Sequence, residues 1–241
     1  PAESIAGFRA GERVTVRDLL SALMITSAND AAKTLAVRTA GSEAAFVGLM
    51  NRRARALGLR DTSFANPVGL DDAGNYSTAS DLARLAIVLR KNAFLRGLVD
   101  RTSVRLTSGS RPRTFVNRNR LVREVPLVNG VKTGHTARAG YLLVGSGTRR
   151  GVTVVSVVMG EPSEAARDRD SLALLRYGLG RFRSVTAVRA GDRLTSVPLA
   201  FRGDETVDAV ASRTVRRTVS DPESLLVGVT GVPAELDGPL R

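Results

Sequence analysis

The chain has no cysteine, no tryptophan, one histidine and only three lysines among 241 residues. Without cysteine there is no disulfide framework, no thiolate nucleophile and no Cys/His metal site, and the lone His135 cannot build a histidine metal centre. That absence does not identify a compartment, though it suits an exported protein. Aromatic residues make up 4%, too few for base-stacking surfaces of the usual kind. No apolar run approaches the roughly 20 residues that a helical membrane span needs. The chain opens at Pro1 without a methionine or a visible signal peptide, as expected where a leading segment has been removed.

What is present is arginine. Of 36 basic residues all but Lys33, Lys91 and Lys132 are arginine, and with 23 acids the formal charge is +13. Residues 1–185 hold 29 basic and 15 acidic side chains, whereas residues 186–241 hold 7 and 8, which predicts two units with different surfaces. Residues 101–123 carry seven arginines and no acid. Nucleic-acid binding is one reading of that stretch, but no recognition-module signature accompanies it. A solvated face, or one that meets an anionic polymer, fits better. Hydrophobic content of 43% with 24% charge is ordinary for a globular chain long enough for one large domain or one domain plus a small one.

Helices come first. Thr15 with Asp18 resembles a capping box before Leu19, Leu20, Leu23 and Met24. A second helix is expected over residues 30–39 with Gly41 as its stop. A third is capped by Ser42, with Phe46, Leu49, Met50 and Leu57 inward. A long loop over residues 59–76 is rich in Asn, Pro, Gly and Asp, and loops of that length are often functional. Helix resumes over residues 78–91. Strands are then expected at residues 103–107, 114–116, 127–133, 141–145 and 152–159, the last apolar enough to be buried on both faces. Thr148-Arg149-Arg150-Gly151 reads as a hairpin turn. A helix over residues 163–182 precedes short strands near 185–188, 194–199, 206–210 and 225–229, which suggest a small β unit.

Two short motifs carry the chemistry. Ser27-Ala28-Asn29 between two helices reads, by itself, as helix capping. Lys132-Thr133-Gly134, followed by His135 and Thr136, reads by itself as an ordinary strand end. Together, Ser-x-Asn between helices and Lys-Thr-Gly on a strand are two of the three elements that mark penicillin-recognising serine enzymes. The surrounding segments extend the match: Gly11-Glu12, residues 14–20, Asp30-Ala31-Ala32, residues 62–70, residues 76–83, Ala139-Gly140-Tyr141 and Val158-Met159-Gly160 leading to Arg167. Over residues 11 to 183 the chain resembles the D-alanyl-D-alanine carboxypeptidases of peptidase family S11, the low-molecular-mass penicillin-binding proteins.

The resemblance implies a mixed α/β (α+β) fold. Residues 1–183 would form a penicillin-binding, serine β-lactamase-like domain with an antiparallel sheet and packed helices, its N-terminal part missing, and residues 184–241 part of a small C-terminal β-domain. It implies removal of the terminal D-alanine from peptidoglycan stem peptides through an acyl-enzyme, on the outer side of the cytoplasmic membrane. Partners would be stem peptides ending in D-Ala-D-Ala, with β-lactams as covalent inhibitors. No metal, cofactor or nucleic acid is implied, and membrane attachment would come only from a segment not among these residues. Ser27 would relay a proton toward the leaving amine in contact with Lys132, and Asn29 would orient the substrate. Thr133 and Arg167 would hold the terminal carboxylate, Gly134 would be a further substrate-binding residue, and the backbone N–H of His135 would serve the oxyanion.

The third element is absent. The residues three before the lysines are Asp30, Val88 and Asn129, so no Ser-x-x-Lys exists here. The expectation is a chain that begins after the nucleophile and, at Pro239-Leu240-Arg241, stops before its β-domain is complete. The alternatives are a catalytically inactive binder of cell-wall peptides or anionic polymer with the same fold, and a related β-lactamase. Against the latter, Ser-Ala-Asn stands where Ser-Asp-Asn is typical.

Overall fold

The computed structural model describes residues 3–200, 202–220 and 225–237. Thr15 starts α1 (Val16–Thr26), its Oγ1 accepting the Asp18 N–H at 3.1 Å. The capping box is half-formed. The Asp18 carboxylate does not return to Thr15 but accepts the N–H groups of Thr107 and Ser108 at 3.1 and 2.9 Å, tying the helix to the tip of a distant hairpin. Helix α2 (Asn29–Ala40) ends at Gly41, whose φ of 81° is the left-handed conformation that glycine adopts without a Cβ penalty. Ser42 caps α3 (Glu43–Ala56) through Oγ to the Ala45 N–H at 3.1 Å. Leu49 is 38% exposed rather than inward, because α3 packs on α2 at the periphery and only Ala54 of the helix is fully buried.

Thr78 caps α4 (Ala79–Lys91). Two short helices lie outside the sequence expectation, α5 (Ala93–Val99) and α6 (Arg120–Glu124). Between them β1 (Ser103–Leu106) and β2 (Arg113–Val116) form an antiparallel hairpin with Arg105 opposite Thr114. The main sheet is β3 (Val128–Thr136), β4 (Gly140–Arg149) and β5 (Val152–Glu161), in that order. Arg150 and Gly151, at φ 49° and 78°, make the two-residue turn with both φ positive that suits a twisted hairpin. Helix α7 (Glu164–Arg181) follows.

Three apolar clusters hold the first unit, residues Pro1–Arg149 with Thr153–Gly178. One joins Leu19, Ala22 and Ile25 of α1 to Ala31 of α2 and to Val104 and Leu106 of β1. The second packs Val128, Leu143 and Val158 of the sheet against Leu121 of α6 and Leu175 of α7. The third packs Val131, with Val144 and Val155, against Ala86 of α4 and Val99 of α5. Val158 and Val155 of β5 thus enter different clusters, which is why the strand carries no alternation of polar residues.

The second unit, Arg150–Val152 with Leu179–Arg241, contains β6 (Arg183–Val188) paired with β9 (Val215–Val219), and β7 (Arg193–Pro198) paired with β8 (Thr206–Val210). Residues 225–229 are not a strand, and Leu226 among them is 92% exposed. The partner of β6 is instead Val215-Arg216-Arg217-Thr218-Val219, whose two arginines mask its strand character. Pro1 and Pro239-Leu240-Arg241, on which the expectations about the chain ends rest, lie outside the described residues. Among the described residues no helix is long and apolar enough to cross a membrane.

Candidate active site

Helix α1 ends in a left-handed residue that is not glycine. Ser27 has φ 61° and ψ 37°, a conformation costing a non-glycine residue of order 1–2 kcal/mol. Its N–H donates to Leu23 O at 3.1 Å and the Ala28 N–H to Ala22 O at 3.3 Å. Capping therefore uses only the backbone of Ser27, and its hydroxyl is left to face the cleft. Two residues on, Asn29 opens α2, 7% exposed, with its N–H donating to Ser4 O at 2.7 Å. Its side-chain amide has no hydrogen-bond partner among the described residues. Asp30 anchors the segment opposite, its carboxylate accepting the N–H groups of Ala6, Gly7 and Phe8 at 2.9–3.1 Å. The first turn of α2 thereby fixes the segment bearing Glu3 and Ser4, which line the same cleft.

The second motif arrives on β3, an edge strand of the main sheet. Lys132 Nζ donates to Ser27 Oγ at 2.9 Å across 105 positions of sequence, and to Thr133 O at 2.9 Å. The latter bond puts the Thr133 carbonyl on the open side of β3. Backbone groups of alternate residues share a side, so the N–H of His135 faces the same way. Burial pushes the Lys132 ammonium from its ordinary 10.5 down to about 8, and the guanidiniums of Arg118 and Arg167 push in the same direction.

These residues border one cleft of about 740 Å³, which collects Ser27, Asn29, Lys132, Thr133, Gly134, His135 and Arg167. All seven residues singled out in the sequence are thus brought together. Gly134 is not required by the fold: its backbone is in no glycine-specific region, and a Cβ there would meet Leu142 Cδ1 at an ordinary 3.7 Å. The His135 ring stacks on Tyr141, with centroids 3.9 Å apart and planes 24° from parallel. Arg167 is 2% exposed and partly committed, its Nε and Nη2 donating to Asp168 Oδ1 at 3.0 and 2.9 Å. Glu164 lies 3.7 Å from its Nη1.

One feature of the cleft lay outside the sequence reading. Arg118 lines it, exposed and without a hydrogen-bond or ion-pair partner for its side chain among the described residues, and its N–H donates to Ile25 O at 3.1 Å beside the end of α1. It was hidden among seven arginines that look alike in sequence. The cleft is also lined by Val68, Gly69 and Leu70 of the long loop singled out in the sequence, whose N–H groups all converge on Asn66 Oδ1 at 2.8–3.2 Å. An Asn followed by a glycine-containing turn is the local signal for that geometry. Chemically, the cleft offers a hydroxyl held by a lysine of lowered pKa, a free amide, an open strand edge and two guanidiniums. That set suits an extended peptide with a terminal carboxylate.

Comparison with known proteins identifies the family. Residues 2–163 match the model of the D-alanyl-D-alanine carboxypeptidase family. The chain is 34% identical over 217 residues to the D-alanyl-D-alanine carboxypeptidase DacA of Escherichia coli strain K12, covering 90% of this chain and 53% of that protein. It is 31% identical to DacF of Bacillus subtilis strain 168, covering 90% and 54%. The crystal structure of the carboxypeptidase DacD from Francisella tularensis superposes with a TM-score of 0.74 at 27% identity, covering 100% of this chain and 71% of that one. The Streptomyces K15 DD-transpeptidase superposes with a TM-score of 0.70 at 35% identity, covering 73% and 72%. The chain spans about half the length of the curated relatives it matches. With residues 2–163 matching the family model and relatives at 31–34% identity over 90% of its length, the chain belongs to the D-alanyl-D-alanine carboxypeptidase family.

Proposed function

We propose that the cleft recognises the D-Ala-D-Ala end of peptidoglycan stem peptides and forms the substrate side of a serine-type D-Ala-D-Ala carboxypeptidase site outside the cytoplasmic membrane. The observation that carries this reading is the 2.9 Å bond from Lys132 Nζ to Ser27 Oγ, which joins the two motifs at the floor of the cleft. In this reading Ser27 gives its proton to the leaving D-alanine nitrogen and regains one from Lys132. A lysine with a pKa of about 8 suits that task, because proton transfer is most effective near the working pH. Arg118, Arg167 and the Thr133 hydroxyl hold the terminal carboxylate, Asn29 orients the adjoining amide, and the His135 N–H serves the oxyanion. The imidazole of His135, stacked on Tyr141, takes no proton.

The attack itself needs a serine and a base that these 241 residues do not supply as Ser-x-x-Lys. Penicillins, as mimics of the acylating peptide, would acylate that serine. Residues 1–183 are proposed as the peptidase domain and residues 184–241 as part of a β-domain. The test is intact mass after incubation with a penicillin, using a polypeptide in which a Ser-x-x-Lys segment precedes Pro1. One covalent adduct, lost in Lys132→Ala, supports the assignment. An adduct formed equally well without Lys132 removes it.

A further inference from the structure

Most arginines of residues 101–123 have no task inside the fold. Arg113 is committed, donating to both carboxylate oxygens of Glu12 at 2.9 and 3.0 Å, and Arg120 faces Asp168 at 3.4 Å. Arg118 lines the cleft. Arg101, Arg105, Arg111 and Arg123 are exposed, and their side chains have neither hydrogen-bond nor ion-pair partners among the described residues.

Three of these four follow one hairpin. Val104 and Leu106 of β1 point into the core, so Arg105 and its partner Thr114 share the outer face. Arg111 sits in the tip between the strands. Arg101 precedes β1, and its carbonyl accepts Asn117 Nδ2 at 2.8 Å, which closes the root of the hairpin next to Arg118. Guanidiniums therefore run from the tip to the root of the hairpin, where the neighbouring Arg118 lines the cleft. Surfaces that serve only solubility intersperse charges of both signs, whereas residues 101–123 carry no acid between the flanking Asp100 and Glu124. The planar guanidinium fork matches phosphate oxyanions in bidentate fashion. The outer face of the hairpin, made of Ser103, Arg105, Thr114 and Val116, has no aromatic ring on which a base could stack.

We propose that the outer face of the β1–β2 hairpin binds an anionic cell-wall polymer with a phosphodiester in each repeat, and that it holds the chain beside the peptides that end in the cleft. The proposal rests on the cell-wall reading given above. The probe is poly(glycerol phosphate), titrated into the 241-residue chain at several salt concentrations, with single-stranded RNA of equal phosphate number as competitor. Four arginine contacts, Arg101, Arg105, Arg111 and Arg118, predict a log–log salt slope of about −2.8, or about a 50-fold loss of affinity between 50 and 200 mM salt. The variant R101Q/R105Q/R111Q keeps only Arg118 and should lose about threefold over that range. The corresponding three-lysine variant should keep most of the slope, because charge drives this term.

Lack of binding at 50 mM salt, an unchanged slope in the glutamine variant, a lysine variant no better than the glutamine one, or tighter binding of the RNA would each overturn the proposal. Lys132→Ala is expected to keep polymer binding while losing the cleft ligand. Failure of the hairpin proposal and failure of the cleft assignment are thereby seen separately.

Discussion

Raising the pH from 7 to 10 is expected to stabilise the folded chain through Lys132. In the folded state its ammonium gives up the proton near pH 8, whereas the unfolded chain keeps it to about 10.5. Between those values the unfolded state binds more protons, so stability rises with pH; below pH 8 both states are protonated and the folded state bears the desolvation penalty. The full shift corresponds to at most about 3 kcal/mol. Lys132 keeps some exposure on its cleft side, so a gain of about 1–3 kcal/mol is expected. The assay is urea denaturation of the wild type and Lys132→Met at pH 7, 8, 9 and 10, reading the difference between the two curves so that other titrating groups cancel. The wild type should gain on the methionine variant as the pH rises through 8. A difference that is flat, or that falls, would refute the assignment of a desolvated ammonium to Lys132. The same proton governs ligand affinity. A carboxylate in the cleft favours the charged lysine, so binding above pH 8 takes up a proton, and affinity should fall by up to about tenfold per pH unit. Calorimetry in buffers of different ionisation enthalpy reads that uptake directly.

Ser27→Gly should raise stability by about 1 kcal/mol in urea denaturation, since glycine relieves the left-handed strain at φ 61°, yet weaken binding of a D-Ala-D-Ala peptide by removing the hydroxyl that Lys132 holds. Destabilisation on that change would mean the hydroxyl braces the fold. Gly134→Ala should change stability by no more than a neutral surface substitution, about 0.5 kcal/mol, because its Cβ has room, while narrowing the cleft and lowering peptide affinity. Asp30→Ala should cost about 2–3 kcal/mol, since it strips the N–H groups of Ala6, Gly7 and Phe8 of their acceptor, and faster proteolysis at residues 3–8 would report the loosened wall.

The helices and the main sheet were legible in the sequence because their signals are local: Thr15, Ser42 and Thr78 as caps, Gly41 as a stop, and the two-residue turn at Arg150 and Gly151. Ser27 and Lys132 were legible as motifs, although their contact joins residues 105 apart. Helix α5 escaped because it is a single continuation past Asn92, which ends α4 and caps α5 at once, with Gly97 breaking an already short period. Strand β9 escaped for the reverse reason: its arginines suggest a loop, while apolar residues 225–229 suggested a strand that is not formed among the described residues. Arg118 could not be distinguished from its neighbours, because what sets it apart is the Ile25 carbonyl that pins its backbone beside Ser27.

The most direct test is an NMR titration of the 241-residue chain with an acylated peptide ending in D-Ala-D-Ala, run beside its L-Ala-L-Ala counterpart. The account predicts amide shifts confined to Ser27, Asn29, Arg118 and residues 132–135 with the D,D peptide, and weaker or no shifts with the L,L peptide. Equal responses to both peptides, or shifts that fall elsewhere on the surface, would contradict it.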